Sequence, residues 1–138
     1  MIEFFAEDIS MPEINEDKIS SWVEEVVQSY GFQLGDISYI FCSDEYILKV
    51  NVEYLEHDYY TDIITFDYTE EKIIAGDLFI SLDTVKSNAE QFGQKFDTEL
   101  HRVIIHGILH LCGLKDKSPE DEKLMREAED KALNNLFN

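Results

Sequence analysis

The chain has 138 residues and a formal net charge of −19, so it is long enough for one domain with a core and too short for two. A hydrophobic content of 44% excludes a disordered chain, and no apolar stretch approaches the ~20 residues of a membrane span. The acidic N-terminal residues do not resemble a secretory signal, so we expect a cytoplasmic protein without a membrane partner.

The negative charge is unevenly distributed along the chain. Residues 1–85 carry 3 basic and 20 acidic side chains, whereas residues 86–138 carry 8 basic and 10 acidic ones. A bound divalent cation would bring the second part close to neutral. The charge argues against a large basic surface of the kind that many nucleic-acid-binding proteins use, and we expect no DNA partner. A small, locally positive site remains compatible with it.

The first half of the chain predicts strands and helices in alternation. Apolar residues at helical spacing, followed by Gly31, are typical of an amphipathic helix. The predicted elements, in chain order, are a short strand at Ile2–Phe5, a helix at Asn15–Tyr30, a strand at 36–43 and a helix at about Asp44–Tyr54.

The second half predicts a hairpin and then three helices. Thr61–Tyr68 is rich in β-branched and aromatic residues, and residues 76–81 pair with it as the adjacent strand. The helices are expected at about 82–92, 97–112 and 119–136. This order predicts an α+β fold, with residues 1–138 forming a single domain in which a small mixed four-stranded sheet is covered by about five helices.

Two histidines and an aspartate follow one another in H-G-I-L-H-L-C-G-L-K-D, residues 106–116. His106 and His110 lie one turn apart on an otherwise apolar helix, so both imidazoles share one face, about 5–6 Å apart at Cβ. Gly113 allows a left-handed turn after the helix, from which Asp116 can return a carboxylate to the same ion. Three protein ligands leave a position open for water, which is typical of a catalytic metal.

Other interpretations of this segment stay open. A histidine on an apolar helix is commonly a hydrogen-bonded core residue, and an H-x3-H pair also arises by chance. Gly107 occupies the position of the general-base glutamate in zinc proteases of the H-E-x-x-H type, so proteolysis fits poorly. His101 is rotated about 140° from His106 on the helix, so we expect it to be a surface or partner-facing group. His57 lines the site only if its loop folds over it.

Three motifs in this order and spacing resemble the YbeY family of bacterial rRNA maturation factors. They are N-V-E-Y-L-E-H-D-Y-Y-T-D-I-I-T-F at 51–66, G-D-L-F-I-S at 76–81 and the histidine motif at 106–116. The resemblance implies a small mixed sheet flanked by helices. It also implies a zinc-dependent endoribonuclease that acts on single-stranded RNA in 16S rRNA 3′-end maturation and ribosome quality control, with the small ribosomal subunit or its proteins as partners.

The chain departs from the family pattern at two positions. The family motif ends in G-Y-D-H, whose histidine is the third ligand; an ungapped alignment places Asp116 on that position and Lys115 on the preceding acid. A one-residue insertion would instead place Lys117 there, which is a poor ligand while protonated. A carboxylate is an acceptable zinc ligand, so we expect one Zn²⁺ bound by Asp116 and the two histidines. The second departure is Leu55, which replaces an arginine suited to an RNA phosphate.

Metal-assisted hydrolysis of an RNA phosphodiester is the first functional hypothesis. The ion would polarise a phosphoryl oxygen and lower the pKa of its water. Lys115, Lys117 or Arg102 would hold flanking phosphates. The general base is not identified, and Lys115, Arg102 and His57 are the candidates for a catalytic role. The alternatives are a non-catalytic ribosome-assembly factor that keeps its metal for folding, and a metal-dependent hydrolase of another substrate.

Overall fold

The computed structural model describes residues 1–55 and 61–137, and the element order within them is the predicted one. The elements are β1 (Ile2–Ala6), α1 (Glu16–Ser29), β2 (Gln33–Cys42), α2 (Asp44–Leu55), β3 (Ile63–Asp67), β4 (Ile73–Ser81), α3 (Leu82–Gln91), α4 (Phe96–Leu111) and α5 (Pro119–Phe137). The α+β prediction is therefore confirmed. Strands β2 and β4 both begin three residues earlier than predicted, because Gln33 and Leu34 pair with Ile73 and Ile74 across the two strands.

The sheet has the order β1-β2-β4-β3. Strands β1, β2 and β4 are parallel, whereas β3 forms the predicted hairpin with β4 and pairs with it antiparallel. The mixed sheet is thus confirmed, and β3 lies at one edge. Aromatic side chains stack on the face of the sheet that forms the main core, where the ring centroids of Phe4 and Tyr39 are 5.5 Å apart.

Helix α4 lies at the centre of the core. It contacts β3, β4, α1, α3 and α5, so its side chains are buried almost all round. The hydroxyl of Tyr39 in β2 donates to the carbonyl of Ile104 in α4 at 2.9 Å, and the indole of Trp22 in α1 donates to Ala132 in α5 at 2.8 Å. A smaller apolar cluster on the opposite face of the sheet includes Ile47 of α2 and Ile64 of β3. None of the helices in residues 1–55 and 61–137 is both long and apolar enough to cross a membrane.

Candidate metal centre

A glycine brings the histidine-bearing part of α4 close to the sheet. A Cβ atom at Gly107 would lie 2.1 Å from Cδ2 of Leu78 in β4 and 2.9 Å from Cδ1 of Ile63 in β3. Because position 107 faces the sheet at this distance, it has no room for the general-base glutamate of a zinc protease. The close approach sets His106 and His110, on the neighbouring face of α4, beside strand β3.

The structure brings together the three residues that the histidine motif singled out. Nε2 of His106 and Nε2 of His110 lie 3.4 and 3.2 Å from the same atom, Oδ2 of Asp116. One ligand atom from each of the three residues lies within 4.8 Å of the others. Two ligands bound tetrahedrally about 2.1 Å from one zinc ion are about 3.4 Å apart, so this donor set fits such an ion.

Both imidazoles are held through the nitrogen that faces away from Asp116. Nδ1 of His106 donates to Oε2 of Glu129 at 2.7 Å, and Nδ1 of His110 donates to the carbonyl of Leu114 at 3.0 Å. A carbonyl and an ionised carboxylate can only accept, and in each ring the acceptor beside Nδ1 is nearer than Oδ2 of Asp116 is to Nε2, so the proton of the neutral ring is assigned to Nδ1. In the neutral rings Nε2 is then an unprotonated potential metal ligand.

The end of α4 has the left-handed glycine turn that the sequence predicted. Gly113 has φ +101°, and its N–H donates to the carbonyl of His110 at 2.9 Å. The N–H of Leu114 donates to the carbonyl of Leu109 at 3.0 Å, so the pair of bonds forms a Schellman motif. The turn presents the Leu114 carbonyl to His110 and is followed two residues later by Asp116.

Arg102 is bonded to two carboxylates of the protein, whereas the sequence suggested that it would hold a phosphate of the RNA. Its Nη1 donates to Oε1 of Glu129 at 2.9 Å and its Nη2 donates to Oδ1 of Asp130 at 2.7 Å. Only 10% of its side chain is exposed. Because a buried guanidinium needs acceptors, it pairs with two carboxylates of α5, and little of it remains for a phosphate.

Charges around His106 shift the pKa values of the site. Burial disfavours protonation of His106, but the hydrogen bond with Glu129 and the charges of Glu129, Asp62 and Asp116 outweigh it and raise its pKa. Burial acts to raise the pKa of Glu129, but its bonds to His106 and Arg102 dominate and hold it below the ordinary value. The pKa of Asp62 is raised by burial, which the charge of His106 only partly opposes.

The three candidate ligands line an open cleft of about 460 Å³ beside β3. The β3 side of this cleft contributes hydroxyl and carboxyl groups, from Thr61, Asp62, Thr65 and Asp67. A larger groove of about 790 Å³ lies at the start of α1 and includes none of the three ligands. The smaller cleft is therefore the one that combines potential metal ligands with space for a substrate.

The remaining residues that the sequence singled out lie in different parts of the chain. Lys115 and Lys117 are exposed in the loop between α4 and α5, on either side of Asp116. Leu55 is the last residue of α2 and is 39% exposed. His57 lies outside the described residues, so its relation to the cleft stays a prediction.

His101 corrects one expectation, because it is buried rather than on the surface. Its Nδ1 donates to the carbonyl of Asp97 at 2.6 Å, and its ring lies 6.1 Å from that of Trp22 and 5.5 Å from that of Phe137. The face of α4 that points away from the candidate ligands packs against α1 and the end of α5, so rotation away from His106 does not lead to solvent.

Sequence reasoning missed Glu129 and Asp62. A signal for Glu129 was present, because it occupies the otherwise apolar buried face of α5, which is formed by Met125, Ala132, Leu133 and Leu136. A carboxylate at such a position needs a buried partner. For Asp62 the only signal in the sequence was its place in the motif T-D-I-I-T-F, just before β3.

Comparisons with known proteins agree with this architecture. The sequence model of the family described as Endoribonuclease YbeY matches residues 3–137. Proteins named Endoribonuclease YbeY from Phocaeicola vulgatus and Bacteroides thetaiotaomicron are 61% and 59% identical to this chain, each over 96% of this chain and 96% of its own length. The solution structure of TM1509 from Thermotoga maritima superimposes with a TM-score of 0.70 at 27% identity, covering 99% of this chain and 89% of that one.

Proposed function

The chain belongs to the endoribonuclease YbeY family, and we propose that it cleaves single-stranded RNA by metal-assisted hydrolysis at the site formed by His106, His110 and Asp116. As a member of this family, it is a hydrolase that acts on RNA. The observation that carries the metal site is the convergence of two imidazole nitrogens on one oxygen of Asp116, at 3.4 and 3.2 Å.

Zinc is the ion that we propose for this site. Two imidazoles and one carboxylate form a ligand set that catalytic zinc sites use, and three protein ligands leave a position open to water or substrate. When bound, the ion supplies Lewis-acid polarisation of a phosphoryl oxygen and lowers the pKa of water. The protein holds both imidazoles by Nδ1, so that both Nε2 atoms are available in the neutral rings.

The surroundings of the site favour few contacts with the RNA backbone. Lys115 and Lys117 are exposed beside Asp116, and we propose that they bind phosphates on either side of the scissile bond. Arg102 is not included, because its guanidinium is paired with Glu129 and Asp130. The net charge of −19 repels RNA elsewhere on the surface, so binding concentrates where the ion and the lysines lie together.

We place the proposed activity in 16S rRNA 3′-end maturation and ribosome quality control in the cytoplasm. Support for this role is the resemblance of the three motifs, together with relatives that are named endoribonucleases. Those names also weigh against the non-catalytic alternative. The small ribosomal subunit or one of its proteins is the proposed partner. Depleting the protein in its host is expected to leave 16S rRNA with unprocessed 3′ ends, and correct ends in depleted cells would contradict the role.

Cleavage assays on a panel of nucleic acids test the proposed reaction. Metal is stripped from the protein and zinc is restored, and the protein is then incubated with single-stranded RNA, duplex RNA and single-stranded DNA. We expect zinc-dependent cleavage of single-stranded RNA by the wild type and none by His110→Ala. His101→Gln is the matched control, since it removes a histidine of the same helix that faces Trp22 and Phe137. Equal cleavage by wild type and His110→Ala would contradict the proposal.

A further inference from the structure

We propose that Glu129 is a positioning residue that fixes the neutral ring of His106 in the tautomer required of a metal ligand, and that Arg102 fixes Glu129 in turn. The inference rests on the proposed metal site. It assigns α5, which contributes no ligand, a direct part in building that site. The two groups lie 23 residues apart in sequence and meet through the packing of α4 against α5.

The two oxygens of Glu129 have separate partners. Oε2 accepts from Nδ1 of His106 at 2.7 Å, and Oε1 accepts from Nη1 of Arg102 at 2.9 Å. The Glu129 side chain is only 6% exposed, so protein groups have largely replaced water around it. Glu129 at 2.7 Å from Nδ1 is a nearer acceptor than Asp116 at 3.4 Å from Nε2, so the proton of the neutral ring lies on Nδ1 and Nε2 is left unprotonated toward Asp116.

Arg102 determines which way the Glu129 side chain is held. A guanidinium has five N–H donors and no acceptor, so the atom that faces it from Glu129 must be an acceptor. Nη2 of the same guanidinium donates to Oδ1 of Asp130 at 2.7 Å, a half-exposed carboxylate that does not contact Glu129 or His106 in these hydrogen bonds. A buried ion pair like that of Arg102 with Glu129 contributes little net stability compared with apolar packing, which favours a role in the site over a role in folding.

The ring of His110 is held by a backbone carbonyl and not by a side chain of α5. Its Nδ1 donates to the backbone carbonyl of Leu114, in the turn that ends α4. Substitution of a side chain in α5 therefore affects the His106 ring and leaves the His110 contact intact. The two histidines can be compared within one molecule, so His110 serves as an internal reference for any change at His106.

Glu129→Gln tests the role because Gln has nearly the same shape. Arg102 can only donate, so the amide oxygen of the new side chain faces Arg102 and its NH₂ group faces Nδ1 of His106. Nδ1 then has to accept, and the proton of the neutral ring moves to Nε2, the atom that would bind the ion. We expect zinc affinity to fall about 10- to 100-fold, the range typical for loss of an outer-shell partner.

The main readout is the tautomer of His106 in the metal-free protein, measured by long-range proton–nitrogen NMR at mildly alkaline pH. We expect the Nδ1–H form of His106 in the wild type, the Nε2–H form in Glu129→Gln and the Nδ1–H form of His110 in both. Zinc affinity is measured separately, by competition with a chromophoric chelator. Neither readout depends on cleavage of RNA.

Asp130→Asn is the matched control, because it makes the same carboxylate-to-amide change on the other partner of Arg102, keeps an oxygen acceptor for Nη2, and lies at a residue that is bonded to Arg102 and not to His106. We expect it to keep the wild-type tautomer and zinc affinity. The proposal is overturned if the wild-type ring of His106 is the Nε2–H form, a result that requires no variant. It is also overturned if Glu129→Gln leaves tautomer and affinity unchanged, or if Asp130→Asn alters them as much. A wild-type protein that binds no zinc would contradict the proposed function alone, since the tautomer is measured without metal.

Discussion

At the scale of single residues, the site depends on where protons and charges can lie. Each imidazole gives its only neutral-state proton to a fixed acceptor, one a carboxylate and the other a backbone carbonyl. Asp116 is 42% exposed and approaches both rings from the loop after α4. The metal-free site is therefore a cluster of three carboxylates around His106, from Glu129, Asp62 and Asp116, which favours its protonated form.

This cluster predicts opposite pH dependences for the metal-free and the metal-bound protein. Because the folded pKa of His106 lies above the ordinary 6.5, its protonated form stabilises the metal-free fold. That contribution is fully present below 6.5 and is lost as the pH rises through the folded pKa. Zinc requires neutral imidazoles, so the stabilisation by zinc grows over the same rise in pH.

Chemical unfolding from about pH 6 to about pH 9, with chelator or with zinc, measures both trends. His106→Asn is the control, since the difference in unfolding free energy between it and the wild type isolates the contribution of this ring. Glu129 stays ionised throughout this range because its pKa is lowered, so its titration does not contribute to the difference. If the free energy of unfolding of the wild type, relative to His106→Asn, increased with pH in the presence of chelator, this prediction would be wrong.

At the scale of elements, the site is assembled where α4 ends. Gly107 lets the helix approach β3 and β4, and Gly113 turns the chain back so that Leu114 and Asp116 reach His110. Helix α3 ends in the same way at Gly93, whose φ is +65° and whose N–H donates to the carbonyl of Glu90. The same motif thus ends one helix with the proposed ligands and one without them.

Gly113→Ala and Gly93→Ala form a matched pair for this reason. Alanine in the left-handed region costs about 1–2 kcal/mol, and φ +101° at Gly113 lies further from that region than φ +65° at Gly93, so both variants are expected to lose stability and Gly113→Ala at least as much as Gly93→Ala. Only Gly113→Ala displaces Leu114 and Asp116, so it alone is expected to lose zinc affinity, by about tenfold or more. Calorimetric titration with zinc and thermal unfolding measure the two effects. An equal loss of affinity in both variants would mean that the turn acts only through general stability.

Much of the fold and part of the site were predictable, for identifiable reasons. His106, His110 and Asp116 lie within 11 residues on one helix and its exit turn, so their proximity follows from local geometry. The partners of Arg102 and the burial of His101 depend on how α4 packs against α5 and α1, which no local spacing encodes. A helix that is apolar all round is buried on all sides, and that rule indicates that its charged residues are paired.

At the scale of the whole molecule, the acidic surface limits how RNA is bound. With −19 net charges and two exposed lysines beside the site, we expect few phosphates to be neutralised. For single strands the logarithm of the affinity changes by about −0.7 per phosphate for each unit of log salt, so a slope between about −0.7 and −2 is predicted. Many basic nucleic-acid-binding proteins show a much steeper dependence.

The slope is measured by fluorescence anisotropy with the zinc-loaded wild type and a cleavage-resistant phosphorothioate RNA, so that the RNA is not cut and the metal site is intact. Lys115→Ala is expected to reduce the slope by about 0.7. Lys18→Ala is the control, because Lys18 lines the distant groove at the start of α1. A slope steeper than about −4 would require a basic surface that the described residues do not provide.

The central claim is that His106, His110 and Asp116 hold one catalytic zinc ion. The most direct test is the metal content of the purified protein together with X-ray absorption at the metal edge, for the wild type and Asp116→Asn. We predict one zinc per chain with two imidazole nitrogens and at least one oxygen at about 2.0–2.2 Å, and a loss of affinity in Asp116→Asn larger than the roughly 10- to 100-fold typical of an outer-shell change. A wild-type protein without stoichiometric metal, or a bound ion that Asp116→Asn leaves unchanged, would contradict the claim.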